Sequence, residues 1–427
     1  MVGSIMSLAL CLYVAFCAWM LSTGDKTLKL EGKIDHCCTD YREISAINEN
    51  IHPILMELVQ TNFFRRFKVD LQAKCPFWAL SEICKNPKSC GVCLCDEKDI
   101  PKNWLKEDKN IFERGKLQPT SKDLYRESKE QSMPHSWVLG EDENKNGAYI
   151  DLIKNVESFT GYQGQNIWET IYKHNCIQGA TCAEERILNR VMSGMHTSIS
   201  THLSEYYEDF DFDFSYPNSE MYFEKVGNHP ERIQNLYYAY SLLLRGLNLA
   251  TDYLRTYNFS TNEFFEDVKT HRLVTSLLEN SLKYGELPFD ESMLFKDQTK
   301  IGLKDQLKGY FHNITRIIDC VECEKCKTYG KLQIQGLGTA FKMIFEENYH
   351  QKIDLSRNEI IALINTLAKW STSIQLIPVM FDRVNTKRYE AIRVTSFLMI
   401  LVVVVSKFML VAHHAVVSKF KKRISTK

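Results

Sequence analysis

The chain carries no surplus of charge: 53 Lys and Arg residues stand against 53 Asp and Glu residues over 427 positions. A formal net charge of zero withholds the sequence-independent attraction on which nucleic-acid binders rely. The one basic run is short and lies at the C-terminus, so no nucleic-acid partner is expected. Punctuation is sparse as well, with 10 prolines and 19 glycines. Common catalytic signatures are missing. Gly336-Leu-Gly338 lacks the third glycine of a dinucleotide fingerprint and follows no strand pattern. There is no Walker loop, no His-Glu-x-x-His helix and no Gly-x-Ser-x-Gly elbow. What is present is 44% hydrophobic and 11% aromatic residues, enough for a sizeable core and against disorder. There are also 14 cysteines, too many for an ordinary cytosolic enzyme and too few for a disulfide knot. Length alone allows two or three domains.

Both ends are apolar. Ser4 to Leu21 is followed by Ser22, Thr23, Gly24 and then charge, which reads as a signal peptide over residues 1–24 cut near Asp25. The usual basic start is missing, so an uncleaved anchor is the alternative. Phe397 to Val417 is long enough to cross a bilayer, giving a transmembrane helix over 394–417 and a short basic cytosolic tail over 418–427. Lys407 at its middle costs roughly 2.5 to 3.5 kcal/mol on insertion scales, less than the roughly 4 to 8 kcal/mol that its Leu, Ile, Val and Phe residues contribute. A helix lying on the membrane is the competing reading. The signal peptide places the body, 25–393, on the lumenal side. Two glycosylation triplets, beginning at Asn258 and Asn313, fit a secretory route. That route implies an oxidising compartment, where cysteines form disulfides more often than metal sites.

The body reads as helix. Apolar residues recur at three and four in Leu188, Met192, Met195, Ile199 and Leu203, and again from Ile233 through Leu236, Tyr237, Tyr240, Leu243 and Leu244 to Leu247. Further helical runs are expected over about Ile44–Phe67, Leu337–Glu347 and Glu359–Ile374. The fold class is therefore mainly α, a single-domain helical bundle. Lys85–Asn103 and Tyr207–Asn218 read as loops, the first Cys-rich and mobile.

The chemistry lies in cysteine. Cys320, Cys323 and Cys326 form a Cys-x-x-Cys-x-x-Cys array, and Cys84, Cys90, Cys93 and Cys95 fall within twelve residues. Two thiols at Cys-x-x-Cys spacing can close a readily exchanged disulfide, supply half a zinc site, or be structural staples. All three readings stand on spacing alone, with the oxidising compartment weighing against zinc. On the helix near residue 190, Ser193, His196 and Ser200 give a small polar edge beside Gly194, with room for a flat ligand or simply a satisfied core histidine. Arg245 lies within an apolar face, where a guanidinium needs an anion such as a diphosphate or a carboxylate.

Five strings, taken in order, resemble the endoplasmic reticulum oxidoreductins, flavin-dependent oxidases of protein disulfide isomerase. They are CPFWALSEIC (75–84), YIDLIKNVESFTGYQGQNIWETIYKHNC (149–176), RVMSGMHTSISTHLS (190–204), GNHPERIQNLYYAYSLLLRGL (227–247) and DCVECEKCKTYGKLQIQGLGTAFKMIF (319–345). The resemblance implies a helical bundle that holds FAD, with Cys323 and Cys326 as the inner dithiol. Cys326 passes electrons to the flavin and Cys323 is the sulfur attacked from outside. Cys84 and Cys90 match the outer shuttle pair. Cys75 with Cys320, and Cys176 with Cys182, match structural disulfides, and the first of these ties the body into one domain. Thr160, Trp168, Ser193, His196 and Arg245 fall on FAD-contacting positions, with Arg255 as a further phosphate contact. The implied partners are protein disulfide isomerase or another thioredoxin-like protein, molecular oxygen and the endoplasmic reticulum membrane, with no metal.

The chain departs from the family pattern at Ser158, where an Arg is usual, and in the spacing of its outer loop. There Cys93 and Cys95 are alternates for the shuttle. Cys37 and Cys38 are left without assigned partners. The reading from a different class is an inactive zinc- or disulfide-stapled lumenal binding module.

Overall fold

The computed structural model describes residues 13–15, 30–34, 40–77, 90–114, 137–138, 146–157, 165–175, 183–206, 218–282, 300–346 and 355–425. They fall into two compact units, one of Leu30–Leu376 and one of Met1–Lys29 with Ile377–Lys427. The first is the helical body that the periodicity predicts.

The body begins with α1, Tyr41–Leu58, started by Asp40, whose carboxylate accepts from the Arg42 backbone N–H at 2.8 Å. Its apolar stripe of Ile44, Ile47, Ile51, Leu55 and Leu58 is buried. The helix stops at Leu58 rather than running on to Phe67. The Thr61 hydroxyl takes the Leu58 carbonyl at 2.7 Å, and the chain then turns into β1, Arg66–Val69. Here the period changes to two, so that Phe67 and Val69 are buried between half-exposed Arg66 and Lys68. After α2, Lys102–Arg114, strand β2, Ala148–Asp151, pairs antiparallel with β1, with Phe67 opposite Ile150 and Lys68 opposite Tyr149. Arg65 grips Asp151 with Nε to Oδ1 at 3.1 Å and Nη2 to Oδ2 at 2.5 Å, closing this small ladder.

Helices α3, Gln165–Asn175, α4, Ala183–Tyr206, and α5, Pro230–Leu249, form the next layer. Pro230 in the first turn of α5 suits a position whose N–H has no helical partner. Almost every side of α5 is buried, as befits a central helix. Its neighbours approach closely at two glycines. A Cβ on Gly194 of α4 would lie 2.7 Å from the Asn235 carbonyl oxygen, and one on Gly246 would lie 2.6 Å from Ala340 Cα. The latter residue belongs to α8, Glu324–Glu346, which follows α6, Phe264–Leu282, and α7, Lys300–Ile318. The long α9, Arg357–Ser425, closes the body with its first turns, where the Trp370 indole donates to Gln333 Oε1 at 2.9 Å.

In the second unit, α9 continues through the apolar stretch, whose Phe397, Ile400, Val404 and Phe408 are all exposed. Among the described residues it is the one helix long and apolar enough to cross a membrane, with a mean hydropathy of 2.5 in its most apolar window. The Tyr13 and Ser396 hydroxyls lie 2.7 Å apart in the same unit.

Candidate active site

The inner cysteines lie where α7 hands over to α8. Backbone bonds from Cys320 N–H to the Ile317 carbonyl and from Val321 N–H to the Ile318 carbonyl end α7 in a tight turn. Cys320 is bonded to Cys75, 245 residues earlier, which fixes that turn to the segment following β1. Closing a loop of this length removes about 5 kcal/mol of chain entropy from the unfolded state. Cys323 then caps α8, its carbonyl accepting from Lys327 N–H at 2.7 Å, and Cys326 lies in the first turn. Both are 0% exposed.

Spacings of four and eight put Lys327 and Lys331 on the Cys323 face of α8. Lys331 is 0% exposed and meets Asp319 Oδ1 at 2.7 Å and the Asp70 carbonyl at 2.9 Å. Lys327 reaches the Leu71 carbonyl at 3.5 Å. Burial pushes the Asp319 carboxyl up against the opposing pull of Lys331, and pushes the Lys327 ammonium down against the pull of Asp319. These cations pin the segment leading to Cys75 onto the thiol helix.

The outer cysteines reach the same place. Cys90 is buried and disulfide-bonded. Two residues on, Val92 N–H donates to Glu324 Oε2 at 2.9 Å, which sets the Cys90 segment against the first residue of α8. Residues 90–103, expected as part of a mobile loop, are tied at several points. Cys93 is held by Asn155, which accepts from its N–H at 2.8 Å and donates to its carbonyl at 2.9 Å. Cys95 N–H bonds the Tyr149 carbonyl at 2.9 Å, Leu94 bridges Ile150, and α2 begins at Lys102. Cys93 is an exposed thiol. Cys95 is a half-buried one whose thiol is pushed up by burial and then by Asp151, which disfavours its thiolate. Cys84, Cys176, Cys182 and Thr160 lie outside the described residues.

A second cluster joins α3, α4 and α5. The Trp168 indole stacks on the His196 imidazole, with centroids 4.0 Å apart and planes 9° from parallel. The Tyr172 hydroxyl is 3.3 Å from His196 Nδ1. Asn235 donates to the Ser193 hydroxyl at 3.1 Å and accepts from Arg190 Nε at 3.1 Å. Burial, then Arg232 and Lys225, lower the His196 imidazole to about 3, so it is neutral at physiological pH. Arg232 and Lys225 are the cations that bear on His196, and Arg190 joins the cluster through Asn235. Arg245 is half-buried on α5. Arg255 is exposed, and its carbonyl faces His271 Nε2 at 3.4 Å. Arg232 was legible inside the string 227–247. Lys225 had no such signal.

These residues fit an aromatic dinucleotide. Trp168, Tyr172 and His196 supply aromatic rings, and Ser193 and Asn235 supply hydrogen-bonding groups. With Trp168 and His196 at stacking distance, a planar ligand uses an outer face of the pair or parts them. One consequence is a pH dependence of stability in the FAD-free chain. Below about pH 6.5 the unfolded histidine takes up a proton that the folded one refuses until about 3, so His196 makes the fold less stable as pH falls through that window. His196→Gln should flatten the decline, as measured by denaturant unfolding at pH 7 and pH 4.5.

A disulfide docked at the start of a helix that bears two buried cysteines is the arrangement of a dithiol oxidoreductase. The chain belongs to the Endoplasmic Reticulum Oxidoreductin 1 family, whose model matches residues 50–377. It is 37% identical over 370 residues to endoplasmic reticulum oxidoreductin-2 of Arabidopsis thaliana, covering 82% of this chain and 78% of that one. It is 31% identical over 392 residues to endoplasmic oxidoreductin-1 of Saccharomyces cerevisiae, covering 84% and 68%. Its fold is similar to the solved structure of Ero1p, described as a source of disulfide bonds for oxidative protein folding in the cell. That match has a TM-score of 0.60 and 27% identity, and it covers 82% of this chain and 99% of the other.

Proposed function

We propose that the protein is a flavin-dependent thiol oxidase of the endoplasmic reticulum lumen that makes disulfides in protein disulfide isomerase or a similar thioredoxin-like client. The observation that carries this reading is the Val92 to Glu324 hydrogen bond, which holds the disulfide-bonded Cys90 segment at the start of the helix bearing Cys323 and Cys326. The client's dithiolate attacks the outer disulfide, of which Cys84 is the second half, and leaves as a disulfide. With Cys323 and Cys326 joined as the inner disulfide in the oxidised relay, one outer thiolate then attacks Cys323 Sγ, and the bond to Cys326 breaks with its electron pair going to Cys326. The second outer thiolate attacks the first, the outer disulfide re-forms, and Cys323 leaves as a thiolate. FAD, when bound, takes the electron pair of the inner dithiol and passes it to molecular oxygen, giving hydrogen peroxide. Trp168, His196, Ser193, Asn235, Arg232 and Lys225 would hold it, with Thr160, Arg245 and Arg255 added from the family likeness.

The purified full chain should show a flavin absorbance spectrum near 1:1 and consume oxygen when given reduced client. Stoichiometric zinc without flavin would overturn the reading in favour of a stapled binding module. The exposed apolar stretch of α9 anchors the protein in the membrane and should resist carbonate extraction. Of the two glycosylation triplets, Asn258 is exposed, whereas Asn313 is half-buried on α7 with Thr315 buried beneath it. A glycan is therefore expected on Asn258 alone, and Asn258→Gln should remove the whole glycosidase-sensitive mass shift.

A further inference from the structure

One buried acid has no task in the steps above. The Glu157 side chain is 1% exposed, and its Oε2 meets Lys369 Nζ at 2.5 Å. Its other oxygen, Oε1, is buried with no hydrogen-bond partner among the described residues. A buried carboxylate oxygen without a donor is costly and marks a place where a donor is missing. Lys369 Nζ lies 4.8 Å above the Tyr329 ring, and Tyr329 is one turn beyond Cys326 on α8, anchored by its hydroxyl to the Leu152 carbonyl at 2.8 Å. On its other side, the Lys369 carbonyl is 3.1 Å from His202 Nε2, six residues along α4 from His196. An ammonium and a carboxylate oxygen thus stand together between the thiol helix and the helix of the ring cluster.

A ring that takes electrons from Cys326 must lie against that turn, and the polar edge of an isoalloxazine is an imide, an N–H flanked by carbonyls. A carboxylate oxygen beside an ammonium is the complement of such an edge: one accepts from N–H and the other donates to C=O. We propose that Glu157 Oε1, steadied by Lys369, accepts the imide N–H of the bound flavin and fixes which edge of the ring meets the Tyr329 turn. This rests on the flavin reading and extends it to a residue outside the ring cluster.

The test is titration of the FAD-depleted full chain with FAD, with FAD methylated at the imide nitrogen, and with ADP, read by flavin fluorescence and calorimetry. The wild type should prefer FAD over the methylated form by about 10- to 100-fold, the range of a hydrogen bond to a charged group. Glu157→Leu should bring that ratio near one and leave ADP affinity unchanged. Glu157→Gln, which keeps the volume and a weaker acceptor, should give an intermediate ratio even if the Leu variant does not fold. Equal binding of FAD and its methylated form by the wild type, or an unaltered preference in either variant, would overturn the assignment. So would a parallel loss of ADP affinity, which would place Glu157 at the adenine. Failure of FAD to bind at all would instead remove the flavin reading itself.

Discussion

Cys326→Ala is expected to lower client oxidation by about 10³-fold or more, the scale at which loss of a covalent participant ends turnover, while flavin stays bound at the wild-type level. Cys326 is buried in the first turn of α8, and in the proposed relay it receives the electron pair when Cys323 is attacked. Cys320 is held in its bond to Cys75, and Cys93 and Cys95 have their backbones fixed to Asn155 and Tyr149. Oxygen consumption with reduced client measures the loss, and the flavin spectrum of the same sample shows that the fold persists. Two companions sharpen the result. Cys84→Ala should spare oxidation of small dithiols more than oxidation of the protein client. Cys93→Ala should change both little, because Cys90 already has its disulfide without it.

Lys331→Met is expected to cost about 3 to 5 kcal/mol of stability, the range for breaking a buried ion pair from one side. That is a large share of the roughly 5 to 15 kcal/mol by which a domain is held folded. The substitution preserves packing volume but removes the ammonium that satisfies Asp319 at 2.7 Å and the Asp70 carbonyl at 2.9 Å. Its pH dependence follows from the sign of the Asp319 shift. Burial already pushes this carboxyl above its ordinary value with Lys331 present, and without Lys331 it rises further. The unfolded chain then releases a proton that the folded chain keeps, so the variant should lose stability as pH rises above the ordinary carboxylate range. Urea unfolding at pH 5 and pH 8 checks this, with the larger deficit expected at pH 8.

The helices of the body were legible because burial on one side imposes a spacing of three and four, visible in Leu188 to Leu203 and in Ile233 to Leu247. The end of α1 was not, because Phe67 suits either period. Only the Thr61 cap and the pairing with β2 decide it. The inner cysteines could be found from spacing, and their dithiol role came from family likeness. What could not be read were effects that depend on distance in space. Lys225 and Arg232 act on His196 from another segment. Lys327 and Lys331 look like an ordinary charged helix face until the fold buries them beside Asp319. Glu157, one residue before the family's missing arginine, is unremarkable as a letter and conspicuous only as a buried carboxylate with an oxygen to spare.

The most direct measurement is the flavin absorbance of the full chain mixed with reduced thioredoxin-like client under strict exclusion of oxygen. Electrons passing from the outer disulfide through Cys323 and Cys326 should bleach the flavin band, and oxygen should restore it. Cys326→Ala should not bleach. A flavin that stays oxidised in the wild type, or bleaches equally in the Cys326 variant, would contradict the account.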